Sequence, residues 1–347
     1  MKIGIEQEFV FKDSFNNFLD FSNSSYKDFQ QIVDIFPEFE EDKDILGCKS
    51  LEKTPKRCYV EGFERYDTNC KLIDTVPKAL EIRTIPYDDI NKLVDNFASS
   101  YNKMKDIASS FGLFPVLTSS HPFRDKNSVY KFFQNENYNG RSEHEIIIAK
   151  NSMLTYGLHI NISATEKKFN LQDILEKFNF YLPYIIPFSF SSPFLNKNLF
   201  EGLCYRNYIR AKNRQLISIR KRNILDVIEF RAFDAIGDLQ LLKSVLLLIK
   251  FLVIENSLSG RKKHQDIRLI EISSMEGFEN SQIKNQALMI LDAAKNSNEF
   301  DSNQLDYLYS MVQSNESYAV IMKQKFNKTN DIIQSISNMY NFGEENV

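Results

Sequence analysis

Four short apolar stretches of this chain each carry two charged or ligating residues two positions apart. They are Glu6 and Glu8 in IGIEQEFVF, Glu81 and Arg83 in ALEIRTIP, His159 and Asn161 in YGLHINIS, and Glu229 and Arg231 in VIEFRAF. A strand sends residues i and i+2 to the same face, so each stretch, read as a strand, sets its polar pair on one side and its apolar residues on the other. Four such strands in one sheet give a single face lined with carboxylates, an imidazole and guanidinium groups. That is the wall of a metal and phosphate site.

The rest of the chain supplies helices to cover such a sheet. Apolar residues recur at helical spacing from Asp88 to Phe111 (Ile90, Leu93, Val94, Phe97, Tyr101, Met104, Ile107), with Gly112 where a C-cap belongs. Tyr26 to Ile35 reads as a short helix, Asp173 to Tyr184 as another, and residues 239 to 257 as a core helix with Asp238 as its N-cap. Residues 57 to 87 contain the turn-like YDTNC and predict a hairpin ending in ALEIRTIP, which Pro86 stops. Beyond about residue 280 the pattern is helical almost to the end. Alternating strands interleaved with long helices predict an α+β architecture: one largely antiparallel sheet with helices packed on one face. No internal repeat, low-complexity tract or Pro/Gly-rich linker marks a boundary, so residues 1–347 are expected to form a single domain.

Hydrophobic residues make up 43% of the 347 residues and charged residues 26%, ordinary proportions for a globular protein with a substantial core. The net charge of -3 gives no general attraction to nucleic acid or to an anionic membrane, which needs a clustered basic excess. Cys48, Cys58, Cys70 and Cys204 form no CxxC pair, and neither a zinc site nor a disulfide framework is expected. The chain opens directly into a strand-like segment without the basic and apolar regions of a signal peptide. The most apolar later run, Leu239 to Ile254, is short of a membrane span and is interrupted by Lys243 and Lys250. A cytoplasmic setting is expected, with neither nucleic acid nor membrane as partner.

Two glutamates on one strand face repel each other, and burying both calls for compensating positive charge. A divalent cation supplies it, and an oxygen-rich site suits Mg2+ or Mn2+ together with substrate phosphate oxygens. The alternative is a solvent-facing strand on which Glu6 and Glu8 are simply wet. Glu81 and Glu229 favour the site, because both lie in strongly apolar strands where carboxylates are rarely buried unpaired. Arg83 and Arg231 each follow a glutamate by two positions and read either as structural ion pairs or as guanidinium forks for phosphate. His159 reads either as a hydrogen-bonded core histidine or as a ligand to metal or nucleotide. Arg206, Arg210 and Arg214, with Lys212, recur every four residues and predict a basic helical stripe, by default a solvated face. If the stripe borders the site, Arg206 is the member expected to bind a carboxylate, a phosphate or an acidic peptide.

These residues carry a resemblance. GIEQEF, FPVLTSSHPF, YGLHINIS, FSFSSPF and IEFRAFD occur in the order and approximate spacing of the carboxylate-amine ligases of the type-2 glutamate-cysteine ligase family, within the glutamine-synthetase-like superfamily. IEFRAF and GLHINI are equally similar to the related amidoligases. The resemblance covers about residues 1–260, leaving 261–347 as a helical C-terminal extension. It implies a curved antiparallel sheet with helices on its convex face and ATP with Mg2+, or Mn2+, on its concave face. It also implies that the γ-phosphate passes to a carboxylate, glutamate or a related amino acid, and that an amine then displaces phosphate from the acyl phosphate to give an amide. Carried over by position, Glu6, Glu8, Glu81, His159 and Glu229 look like metal ligands, and Arg231, Glu81 and Glu229 like catalytic residues. His159, Asn161, Arg83 and Arg231 look like nucleotide-binding residues, and Arg206, His121 and Glu61 like substrate-binding ones. The chain departs from the family in two places. Asn161 stands where a second histidine is usual, and IDTVPKAL replaces a glycine-rich stretch, so the acceptor pocket is not expected to be that of a standard glutathione-pathway enzyme.

Three functions fit this reading: a ligase acting on small amino acids, amines or a peptide, a guanidino-kinase-like phosphotransferase on the same fold, and a non-catalytic nucleotide-binding scaffold. The ligase is favoured over the scaffold because charged groups on four apolar strands have no packing purpose in a core. The sequence leaves the amine, the exact acid, the number of metal ions and any homo-oligomeric assembly open.

Overall fold

Alternation within the first strand sets how the protein is layered. β1 (Lys2–Asp13) sends Ile3, Ile5, Phe9 and Phe11 to one face and Glu6 and Glu8 to the other. Gln7, on the apolar face, is satisfied there by the backbone of Ile236, donating to its carbonyl and accepting from its N–H at 3.0 Å each. The computed structural model describes residues 1–48, 54–136, 141–163, 169–221, 226–255, 257–297 and 302–343. Parts of the helical C-terminal reading, 298–301 and 344–347, lie outside them.

After β1 come α1 (Tyr26–Ile35), the hairpin β2 (Cys58–Tyr66) and β3 (Leu72–Arg83), α2 (Ile90–Ser110), β4 (Leu113–Val116), α3 (Lys126–Phe132), α4 (Glu143–Ser152) and β5 (Leu158–Ser163). Then follow α5 (Leu171–Ile185), the two-residue strands β6 (Phe194–Leu195) and β7 (Asn198–Leu199), α6 (Tyr205–Asn213), β8 (Ile217–Arg220), β9 (Val227–Phe233) and α7 (Leu239–Ile254). The remaining helices are α8 (Ile267–Glu276), α9 (Ser281–Lys295), α10 (Asp306–Ser314), α11 (Tyr318–Thr329) and α12 (Ile332–Ile336). The main sheet runs β2-β3-β1-β5-β9-β8 with every pair antiparallel, β4 joins the outer half of β1, and the whole curls into a half-barrel.

Helices cover the apolar face. The ring of Phe9 lies 6.1 Å from Phe97 and 5.1 Å from Tyr101 of α2, Phe11 lies 5.8 Å from Phe29 of α1, and Phe230 of β9 lies 5.5 Å from Phe178 of α5. Each such buried ring contributes about 1.5–3 kcal/mol. A slip of one residue in β1 or β9 would exchange these rings for carboxylates, which fixes the register and turns every polar pair to the concave side. The expected α+β architecture, an antiparallel sheet with helices on its convex face, is the one observed. The helices begin where capping chemistry allows: Asp89 accepts from Asn91 and Lys92 N–H, and Asp238 from Leu241 N–H. The C-terminal segment returns to the sheet, with Tyr340 5.3 Å from Phe9.

One irregularity in the hairpin shapes the concave face. Glu61 pairs with Ala79 and Gly62 with Pro77, so Lys78 has no partner and forms a β-bulge. A bulge re-aims the extra side chain, and Lys78 points to the carboxylate side instead of the core. The two strands approach so closely here that a Cβ on Gly62 would stand 2.0 Å from the carbonyl oxygen of Val76. Only glycine fits at that point.

Candidate active site

Antiparallel partners directly opposite each other share a face of the sheet. Register therefore assembles the concave face as rows of side chains. Tyr59, Glu81 and Glu8 stand side by side across β2, β3 and β1, and Arg83, Glu6 and His159 across β3, β1 and β5. Asn161, Glu229 and Ser218 follow across β5, β9 and β8. Opposite His159, β9 carries two residues where β5 has one, since Leu158 pairs with Phe233 and Ile160 with Phe230. This second bulge contains Arg231 and leans it over the histidine row.

Two groups of ligand atoms result, each lying within 4.8 Å of one another: those of Glu6, Glu81 and His159, and those of Glu8, Glu61 and Glu81. His159 Nδ1 is 3.8 Å from Glu6 Oε2. These residues line one cavity of about 140 Å³ with Tyr59, Lys78, Arg210, Arg214 and Arg231. The charges are not balanced evenly. Burial, reinforced by Glu6, Glu61 and Glu8, pushes the Glu81 carboxyl well above its ordinary 4.5, although Tyr59 donates a hydrogen bond to it. Burial and then Arg231 push His159 well below its ordinary 6.5, so its imidazole is neutral and free to act as a ligand.

Glu8 differs from Glu81 because it has an internal counter-ion. Burial raises its pKa, but Lys78, by its charge and its hydrogen bond, outweighs that and holds it below 4.5. Lys78 Nζ lies 2.5 Å from Glu8 Oε1 and donates to the carbonyls of Ser152 at 3.1 Å and Thr155 at 3.2 Å, so all its protons are used. Gly157 N–H donates to the other Glu8 oxygen at 2.9 Å. Glu81 is thus the carboxylate with the most to gain from an added cation.

The comparisons with known proteins agree with this architecture. No family model matches the chain. A curated relative, the Paracoccus denitrificans (strain Pd 1222) protein named "Putative glutamate--cysteine ligase 2", is 28% identical over 115 residues, taking in 33% of this chain and 30% of the relative. Among solved structures, the Francisella tularensis glutamate-cysteine ligase in complex with AMP superposes over 96% of this chain and 86% of its own, with a TM-score of 0.57 at 14% identity. A bifunctional glutathione synthetase from Pasteurella multocida gives 0.58 at 10% identity over 97% of this chain, which spans 51% of that protein. The ligase PafA, solved with the ubiquitin-like protein Pup, gives 0.53 at 12% identity over 99% of this chain and 74% of its own. The fold is that of these ligase structures. The expected resemblance to type-2 glutamate-cysteine ligases holds at that level.

Within this fold several residues stand elsewhere than the sequence suggested. Glu229 is not in either ligand group: Arg231 Nη2 donates to its Oε1 and Arg220 Nε donates to its Oε2 at 2.7 Å, and despite burial these partners hold it down to about 2. It is an orienting anion for Arg231, whose buried Nε has no hydrogen-bond partner among the described residues. The Oδ1 of Asn161 is likewise unpartnered and buried. Arg83, at the end of its row, does not line the cavity; it donates through Nε to the carbonyl of Lys56 at 2.7 Å and stacks its guanidinium 4.9 Å from Tyr59. His121 is buried outside the cavity, 3.1 Å from Asp20, which also accepts from Arg124.

Arg206 is a correction in both role and setting. Instead of a solvated stripe, α6 turns Arg206 and Arg210 inward, because the helix packs against the sheet end and α8. Arg206 is 0% exposed, donates to the carbonyls of Arg231 at 2.9 Å and Ala232 at 3.2 Å, and faces Asp234 at 3.6 Å. A Cβ on Gly157 would stand 2.3 Å from its guanidinium, so glycine opens the path for this strut. Arg206 braces the β9 bulge and does not line the cavity. Arg206→Ala is expected to cost about 3–5 kcal/mol in urea unfolding, the penalty for stranding a buried partner charge. A substrate-binding arginine would leave the unfolding midpoint unchanged.

Sequence reasoning overlooked Lys78, whose bulge arises from strand pairing, and Tyr59, which sits in an ordinary apolar run. Arg210 carried a signal in the four-residue arginine spacing, and it is Arg210 and Arg214, not Arg206, that line the cavity.

Proposed function

We propose that this chain is an ATP- and Mg2+-dependent carboxylate-amine ligase, with glutamate or a related amino acid as the carboxylate and Mn2+ as an alternative cation. The reading rests on one observation above all: Glu6, Glu81 and His159 converge from three strands beside Arg231. The residues fit a divalent cation. Their ligand atoms are a hard, oxygen-rich set with a neutral imidazole, and Glu81 is destabilised as an anion by its neighbours. They also fit a phosphoryl group, for which the unsatisfied Arg231 Nε is a ready donor.

Glu6, Glu81 and His159 would hold the cation, with Glu61 at the rim; Glu8 is already committed to Lys78. A bound Mg2+ would neutralise these carboxylates and polarise phosphoryl oxygens. Arg231, oriented by Glu229, faces the position where charge develops as the γ-phosphoryl moves from ATP to the substrate carboxylate, releasing ADP. The amine then forms the C–N bond, loses a proton, and phosphate departs with the acyl oxygen. No protein nucleophile is needed for this transfer. The chain's substrates and a cytoplasmic location belong to this reading, as does the exclusion of nucleic acid.

The test is phosphate release by the purified protein with ATP, Mg2+ and an array of amino acids and amines, read by mass spectrometry for a dehydrated conjugate. Release that needs both an acid and an amine, with a conjugate formed, supports the ligase. A stable phosphorylated product makes the protein a phosphotransferase, and no turnover with any pair overturns catalysis.

A further inference from the structure

A second cavity, of about 240 Å³, adjoins the carboxylate basin and shares Ser152, Thr155, Arg210 and Arg214 with it. Its far wall is different in character, formed by Ile148 and Leu154 from the α4 side and Tyr205, Tyr208 and Ile209 from α6. Its volume is below the roughly 300–1,000 Å³ of sites for drug-sized ligands, and suits a single side chain.

Arg210 stands at the junction. It is 9% exposed, and its guanidinium makes no hydrogen bond or ion pair among the described residues; Arg206, Arg214 and Arg231 repel it, and Glu8, the anion that acts on it from the basin, is itself paired with Lys78. Asp234, the buried anion that pairs with Arg206 of the same helix, is engaged by Arg206, Ser191 and Ser192. A buried cation without a partner is costly, and retaining one at the boundary of two cavities calls for an anion delivered by a ligand.

We propose that the second cavity holds the side chain of an aromatic or branched aliphatic amino acid, whose carboxylate pairs with Arg210. With the carboxylate held at the junction and the side chain in the apolar cavity, the α-amine is left facing the basin of Glu81 and His159. This inference rests on the ligase reading for its role, naming the amine-bearing substrate as a hydrophobic amino acid. The cavity lies beside Ser152 and Thr155, just ahead of β5, and shares with the basin only those two residues, Arg210 and Arg214.

The experiment measures binding by calorimetry to the full chain without ATP or metal, so its outcome does not depend on ligase turnover. Phenylalanine and leucine are expected to bind at least tenfold more tightly than alanine or serine, and phenylalanine tenfold more tightly than phenylalaninamide. Arg210→Gln should abolish the preference for the carboxylate over the amide while keeping or raising the melting temperature, because it removes an unpartnered buried charge. Ile148→Trp, on a half-buried face of α4, should weaken phenylalanine tenfold and leave the fold intact. Equal binding of alanine and phenylalanine, no binding of any amino acid, unchanged binding by both variants, or displacement of phenylalanine by adenosine would each overturn the assignment. Phenylalanine binding in a protein that fails the phosphate-release screen would leave this cavity standing and the ligase reading fallen.

Discussion

Glu81→Gln is expected to weaken Mn2+ binding beyond the roughly 10–100-fold that loss of a mere supporting contact costs, and to stop ATP turnover. The same variant should be more stable than the parent in the absence of metal. Glu81 shares its row with Glu8 and its ligand groups with Glu6 and Glu61, and burial together with those three raises its folded pKa well above the 4.5 of an unfolded glutamate. For a carboxyl raised in this way, the contribution to stability is intact below the unfolded value and is lost as pH rises toward the folded value. The parent should therefore lose about 1.4 kcal/mol per pH unit above 4.5 relative to the E81Q variant, until the folded value is reached. Thermal melts in EDTA from acid to neutral pH should show the two proteins converging in acid and E81Q gaining toward neutrality. At a fixed pH, cation binding to the parent should release a proton, and its affinity should rise with pH. If E81Q keeps the parent's metal affinity, or is less stable at neutral pH without metal, Glu81 is not where the unbalanced charge lies.

The paired spacing of Glu6/Glu8, Glu81/Arg83, His159/Asn161 and Glu229/Arg231 was enough to foretell strands, a common face and its polar lining, because all of it follows from the period of two in extended chain. Helix limits were readable for a similar reason. The short helix Tyr26–Ile35 has the predicted ends, and Asp238 caps α7 as expected, since an apolar period and a capping side chain are both local signals. What was hidden depends on pairing between distant strands. The unpaired Lys78 exists as a bulge only because β2 and β3 are offset by one residue, and the β9 bulge that carries Arg231 exists only against β5. Roles within the arginine group were hidden for the same reason. Arg206 and Arg210 are one helical turn apart with identical local chemistry, yet Asp234 and two carbonyls reach the first while no described residue makes a hydrogen bond or ion pair with the guanidinium of the second.

On the proposed reading, Arg231→Ala should lower turnover about 10³-fold, the lower end of what a guanidinium contributes to a transferring phosphoryl group. Nucleotide and Mn2+ affinities should change far less than turnover, because Arg231 is outside both ligand groups. Glu229→Gln separates two roles that sequence alone had merged. If Glu229 were a metal ligand, its loss would match that of Glu81 in Mn2+ affinity. The structure instead commits both its oxygens to Arg231 and Arg220, so E229Q should keep Mn2+ affinity and lose turnover by less than Arg231→Ala does, through a guanidinium less firmly aimed. Acid should reproduce that weaker phenotype only at the extreme, since Glu229 stays ionised down to about 2. Above that value its hold on Arg231 is constant, and any loss of activity between pH 6 and pH 4 must come from other groups, with Glu81 and its failing cation the first candidate. A turnover profile in that range that is flat in the parent and titrates only in E229Q would reverse this assignment.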